Sequence, residues 1–149
     1  MQIEKEINQT VPFKSAYQKL LVNIMYTYNW IGGKQKDFFK TFDLTPKQYN
    51  ILRILKGAGK PITVITIRKR MLDKMSDASR IVDRLIKKGL VVKTVSINDK
   101  RRVDISLTQE AEEILNRVEI NLPLLENGFK SISEEEALEL SALLDKMRP

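Results

Sequence analysis

From residue 13 the chain places apolar side chains at helical spacing: Phe13, Tyr17, Leu20, Leu21, Ile24, Tyr28 and Ile31. Phe38, Phe39 and Phe42 continue the pattern beyond Gly32-Gly33. Each glycine costs a helix interior about 1 kcal/mol relative to alanine, so the pair predicts a kink or two helices. Thr45-Pro46-Lys47-Gln48 reads as a helix start, with Thr45 as N-cap, Pro46 at the first turn and Gln48 closing a capping box. Tyr49, Leu52 and Leu55 form its buried face, and Gly57 and Gly59 are expected to end it.

Pro61-Ile62 reads as a short extended piece, and Thr63 caps a helix running through Ile67 to Met71. Ser76 is expected to open the next helix. Its apolar face is Ala78, Ile81, Val82, Leu85 and Ile86; the opposite face carries Asp77, Ser79, Arg80, Asp83, Arg84, Lys87 and Lys88. Gly89 suits the left-handed position past a helix end. Leu90 to Ile97 is rich in β-formers, Asn98-Asp99-Lys100-Arg101 makes a polar turn, and the alternation from Arg102 to Leu107 marks a half-buried strand. The two strands predict a hairpin with a basic tip. Thr108 caps a further helix whose apolar residues Ala111, Leu115, Val118, Leu122, Leu125 and Phe129 form a narrow seam suited to another helix, with Pro123 expected to kink it. A last helix begins at the Ser133/Glu136 capping box and runs to Met147.

Composition narrows the chemistry. The chain has 149 residues, the size of one domain, with 42% hydrophobic and 30% charged residues, which excludes a disordered or low-complexity chain. No apolar run approaches the roughly 20 residues of a membrane helix, and the acidic N-terminal segment is unlike a signal peptide. A cytoplasmic protein without membrane contact is expected. There is no Cys and no His, which removes disulfides, thiol chemistry, the usual catalytic base, serine and cysteine triads and most zinc sites. With no glycine-rich phosphate loop either, the chain reads as no enzyme and as needing no cofactor.

The net charge is +7, and its distribution says more than its size. Between Arg68 and Arg102 stand 12 basic and 4 acidic residues, whereas the remainder has 14 basic and 15 acidic. The whole excess lies in one stretch, as expected of an element facing nucleic acid on a neutral scaffold. The order helix, short strand, helix, helix, hairpin is that of a winged helix-turn-helix. The second helix of the pair reads base edges in the major groove with residues near its start, here Ser76, Asp77, Ser79 and Arg80, with Arg84 one turn on. A basic hairpin tip suits a narrow, electronegative minor groove. Lys74, Lys87, Lys88 and Arg102 are candidate phosphate neighbours.

Three segments in this order resemble the MarR family of transcription regulators: LTPKQYNILRIL (44–55), SDASRIVDRLIKKGLV (76–91) and NDKRRVDISLT (98–108). The last holds the family's Asp-x-Arg wing motif as Asp99-Lys100-Arg101. The resemblance implies a mainly α fold with a small β-hairpin wing, in which 44–107 form the winged helix and 1–43 and 108–149 supply dimerisation helices. It further implies a homodimer on a pseudo-palindromic operator in double-stranded DNA, often a repressor released by a small, frequently phenolic, effector.

Blander readings stand beside these. Arg80 and Arg84 fit an ordinary solvated helix face, and Arg101 a plain surface residue. Asp99 fits a turn former as well as an ion-pair partner for Arg101. Trp30 with Tyr17, Tyr26 and Tyr28 fits an effector pocket, and equally a core or a dimer interface. Glu134 to Glu136 favour a helix dipole without any metal. The rival function is a winged-helix interaction module that binds a protein or RNA partner and reads no operator.

Overall fold

Short polar side chains set the helix starts. The hydroxyls of Ser15, Thr45, Thr63, Thr108 and Ser133 each accept from the backbone N–H three residues on, satisfying a donor that the helix itself leaves orphaned. Both expected capping boxes, Thr45/Gln48 and Ser133/Glu136, are closed in both directions. The structure, a computed structural model, describes residues 2–95 and 103–148. Its elements are α1 (Ile3–Glu6), α2 (Ala16–Lys40), α3 (Pro46–Ala58), β1 (Ile62–Thr63), α4 (Val64–Arg70), α5 (Ala78–Lys87), β2 (Val91–Val95), β3 (Val103–Leu107), α6 (Gln109–Glu126), a 3-10 turn (Asn127–Phe129) and α7 (Glu134–Lys146).

β2 and β3 pair antiparallel from Val91↔Leu107 to Val95↔Val103, which is the expected hairpin. The extended piece at Ile62 turns out to be a third strand: it pairs with Ile105 of β3, giving the order β1-β3-β2. The core lies where this sheet, α3, α4, α5 and the first half of α6 meet. Ile51, Leu52, Ile67, Met71, Val82, Leu85, Ile105 and Val118 are all fully buried there. Each such side chain contributes on the order of 1.5–3 kcal/mol, so the winged part carries most of the chain's cohesion.

The structure departs from the sequence pattern in several places. α2 runs unbroken for 25 residues through Gly32 and Gly33. It is tied to the rest of the chain on both sides of the pair, by Trp30 edge-on to Phe129 at 5.6 Å and by Phe39 stacked on Tyr49 at 4.3 Å, and these contacts offset the two weak positions. α3 passes Gly57 and ends at Ala58, with only Gly59 left-handed, at φ 63°. α5 begins later than expected, because Asp77, not Ser76, is the N-cap. The short α1, with Ile3 buried, was hidden in a polar lead. The seam of α6 is largely internal: Ala111, Leu115 and Val118 are buried in the core and Leu122 packs against it. α6 also continues through Pro123 to Glu126. The turn Asn98-Asp99-Lys100-Arg101 and Arg102 lie outside the described residues.

Candidate nucleic-acid interface

α5 has two faces of opposite character. Ala78, Val82 and Leu85 are buried against α3, α4 and the sheet, with Ile81 and Ile86 packed beside them. Ser79, Arg80, Asp83, Arg84 and Lys87 are exposed and share the opposite face, one turn apart along the helix. The burial of the first set decides the orientation of the second. Past the helix end, Gly89 takes the left-handed conformation at φ 71° and its amide bonds the carbonyl of Ile86, so the chain reverses directly into β2.

Acidic residues in a basic face need a reason, and each described one has a partner within the chain. The Asp77 carboxylate accepts from the Arg80 amide at 3.1 Å as the N-cap of α5. Asp83 meets the Lys93 ammonium of β2 at 2.8 Å, which ties the hairpin to the helix. Asp73 accepts from Lys47 at 2.8 Å, from the Ser76 hydroxyl at 2.7 Å and from the Met75 amide at 3.0 Å. These donors, Lys47 first, hold its carboxyl well below the usual aspartate range. The negative charges between Arg68 and Lys93 are therefore spent on structure, while Arg80, Arg84 and Lys87 face outward.

The other sequence candidates separate. Ser76 belongs to the turn before α5, its hydroxyl donated to Asp73. The Lys74 ammonium donates to the carbonyl of Lys69. Lys88 reaches back to the turn between α2 and α3, where it meets the Asp43 carboxylate at 2.8 Å. Asp99, Lys100, Arg101 and Arg102 lie outside the described residues. Sequence reasoning missed Lys47, Asp73, Asp83 and Lys93 as a framework around the helix. An Asp three residues before a Ser at a helix start was the available signal for one of them. The exposed ion pairs had none.

Of the four aromatics, Tyr26 and Trp30 line a cleft of about 520 Å³ between α1 and α2, together with Ile3, Glu6 and Lys19; Tyr17 and Tyr28 do not. The Tyr26 hydroxyl donates to Glu6 at 2.9 Å, which raises the phenol above its ordinary range. No group of His, Cys, Asp or Glu suited to a metal occurs among the described residues. Nor is any helix among them long and apolar enough to cross a membrane.

Comparison with known proteins agrees with this geometry. Residues 42–102, which span α3 to the hairpin, match the MarR family. The transcriptional repressor MdtR of Bacillus subtilis is 31% identical over 105 residues, covering 70% of this chain and 67% of MdtR. The crystal structure of the organohalide-sensing RdhR regulator with 2,4-dichlorophenol bound superposes with a TM-score of 0.82 at 28% identity, covering 94% of this chain and 86% of that one. A cysteine-to-serine mutant of Escherichia coli MarR, crystallised with operator DNA, shares the fold with a TM-score of 0.78 at 23% identity, covering 91% of this chain and 100% of that one. The chain belongs to the MarR family of winged helix-turn-helix transcription regulators, and is not an enzyme.

Proposed function

We propose that this regulator works as a homodimeric repressor, in the cytoplasm, on a pseudo-palindromic operator in double-stranded DNA, and that a small molecule releases it. The winged part, 44–107, takes the DNA; the flanking segments, 1–43 and 108–149, take the second copy. The observation that carries the DNA reading is the outward face of α5, where Ser79, Arg80, Arg84 and Lys87 stand exposed beside an Asp83 already neutralised by Lys93. Arg80, near the helix start, is assigned to base edges, and Arg84 and Lys87 to the same groove and its phosphates. Ser76 and Asp77 set the helix start from which Ser79 and Arg80 project. Asp99 to Arg102 are assigned to the adjacent minor groove from the sequence alone. Lys74 and Lys88 come second as phosphate contacts, since each already has a partner.

Pairing is supported by the surface the single chain leaves open. It exposes 11478 Å², roughly half as much again as the ~7,800 Å² of a compact monomer of 17.2 kDa. Tyr17, Leu21, Met25 and Tyr28 of α2 and Leu138, Leu140 and Leu143 of α7 are large apolar side chains within that surface. The effector reading rests on RdhR, whose structure holds a chlorinated phenol.

Selection of bound duplexes from a random pool with purified protein tests the function. Enriched inverted repeats with half-sites about one helical turn apart, near 10–10.5 base pairs, are expected. Failure to enrich any duplex above random sequence, or tight binding of RNA instead, overturns this reading and favours the interaction module.

A further inference from the structure

The turn from Met71 to Ser76 carries an unusual combination. Met71 is buried, but Leu72 and Met75, the other large apolar residues of the turn, are 80% and 93% exposed. Apolar packing therefore anchors this segment only at its first residue. What holds the remainder is polar: Lys74 bonds back to the Lys69 carbonyl of α4, and the other contacts to a neighbouring element come from α3. Asn50, buried in the middle of α3, accepts from the Leu72 amide at 3.1 Å. One turn earlier on α3, Lys47 meets Asp73 at 2.8 Å. Asp73 in turn holds the Met75 amide and the Ser76 hydroxyl, and Ser76 directly precedes the N-cap of α5.

We propose that Asp73 is a positioning residue for operator reading: it fixes the start of α5 against α3, and so the reach of Ser79 and Arg80. This rests on the assignment of α5 as the reading helix. The apolar face of α5, from the buried Ala78 onward, seats the helix and sets which side points outward, but buried aliphatic contacts are non-directional and fix the angle of its first turn less sharply than hydrogen bonds do. A carboxylate with three donors at hydrogen-bond distance is directional. It restrains the one end of the helix at which side chains meet base edges, where geometry must hold within fractions of an ångström. Contacts to phosphates made by flexible lysines do not need that restraint. Loss of Asp73 is thus a loss of discrimination before it is a loss of binding.

The test uses the full chain and the duplex enriched from the random pool, with random duplex as the reference. Asp73→Ala is expected to lower the ratio of enriched-duplex to random-duplex affinity by about tenfold, equivalent to roughly one mismatched base pair. Affinity for random duplex should hold or rise slightly, as Lys47 is freed of its partner. Asp73→Asn keeps an acceptor for the Met75 amide and is expected to recover part of the ratio. If Asp73→Ala does not fold, Asp73→Asn and Lys47→Ala carry the measurement, each with a smaller fall in the same ratio. Arg80→Ala is measured alongside. An unchanged ratio in the Asp73 and Lys47 variants, with a lowered ratio in Arg80→Ala, overturns the positioning role and leaves the reading helix standing. An unchanged ratio in Arg80→Ala overturns the reading helix and the inference with it. A purely structural Asp73 would lower the unfolding temperature and leave the ratio of the folded protein unmoved, which also overturns it.

Discussion

Arg80 and Lys87 lie on the same exposed face of α5, two turns apart, and are expected to fail differently. Arg80 is next to the helix start and is the residue proposed to meet a base edge, which a guanidinium does with two hydrogen bonds. Its replacement by Ala should cost about 1–3 kcal/mol on the enriched duplex and relax preference at one position per half-site. Lys87, in the last turn, should weaken enriched and random duplexes alike and reduce the salt slope by about one unit. Salt titrations of both variants on both duplexes check this. Asp73 adds a pH dependence. Its carboxyl is depressed in the folded chain by Lys47, Ser76 and Met75, so the stability it contributes is fully present at neutral pH. That contribution is lost as acid protonates first the unfolded and then the folded form, from about pH 4 downward. In urea melts, Asp73→Ala should fall short of the native chain at pH 7, by a gap that narrows below about pH 4.

At the scale of elements, caps explain where helices start and burial explains which of them stay put. The paired glycines of α2 are the informative case. A Cβ built at Gly33 meets nothing within 4 Å, so the chain itself has no steric need for glycine there. Gly33→Ala is therefore expected to raise the stability of the isolated fold by about 0.5–1 kcal/mol, read as a higher midpoint in urea. A lowered midpoint would mean that another copy or a ligand approaches the backbone at that position. The α6 seam makes the complementary point. Leu115 is buried within the chain, so Leu115→Glu should unfold it rather than merely separate subunits.

For the whole molecule, the exposed apolar side chains of α2 and α7 are where the proposed second copy would pack. Leu143 of α7 is 53% exposed in the single chain and lies outside the buried core, so Leu143→Glu breaks little intramolecular packing. The native protein is expected to scatter light as a dimer at micromolar concentration, and Leu143→Glu as a folded monomer with weakened operator binding. A native monomer would sink the pairing. The outward charge of α5 is likewise a property of the whole: the basic excess lies between Arg68 and Arg102, but its sign at the surface of the helix follows from where the acids turn. Asp73, Asp77 and Asp83 each turn to a partner inside the chain.

Local chemistry was legible from the residues alone. Ser, Thr, Pro and Gly at fixed offsets specify caps and turns through a few neighbouring backbone groups, which is why Thr45, Thr63, Thr108, Ser133 and Gly89 could be read without any fold. The alternation of β3 and the two-faced pattern of α5 are local for the same reason, since a period of 2 or 3.6 separates inside from outside. The charge bias and the lack of Cys and His limit the chemistry whatever the fold, because no packing can supply a thiol or an imidazole that the chain does not contain. Contacts between distant segments were another matter. The pairing of Ile62 with Ile105 that makes a hairpin into a sheet, the burial of the α6 seam against α3, and the continuity of α2 across two glycines all depend on packing energy gathered from remote parts of the chain. The Asn50, Lys47 and Asp73 clamp is of that kind too, because a hydrogen bond across more than twenty residues leaves no periodicity in the sequence, and only the folded chain brings its donors and acceptors to about 3 Å.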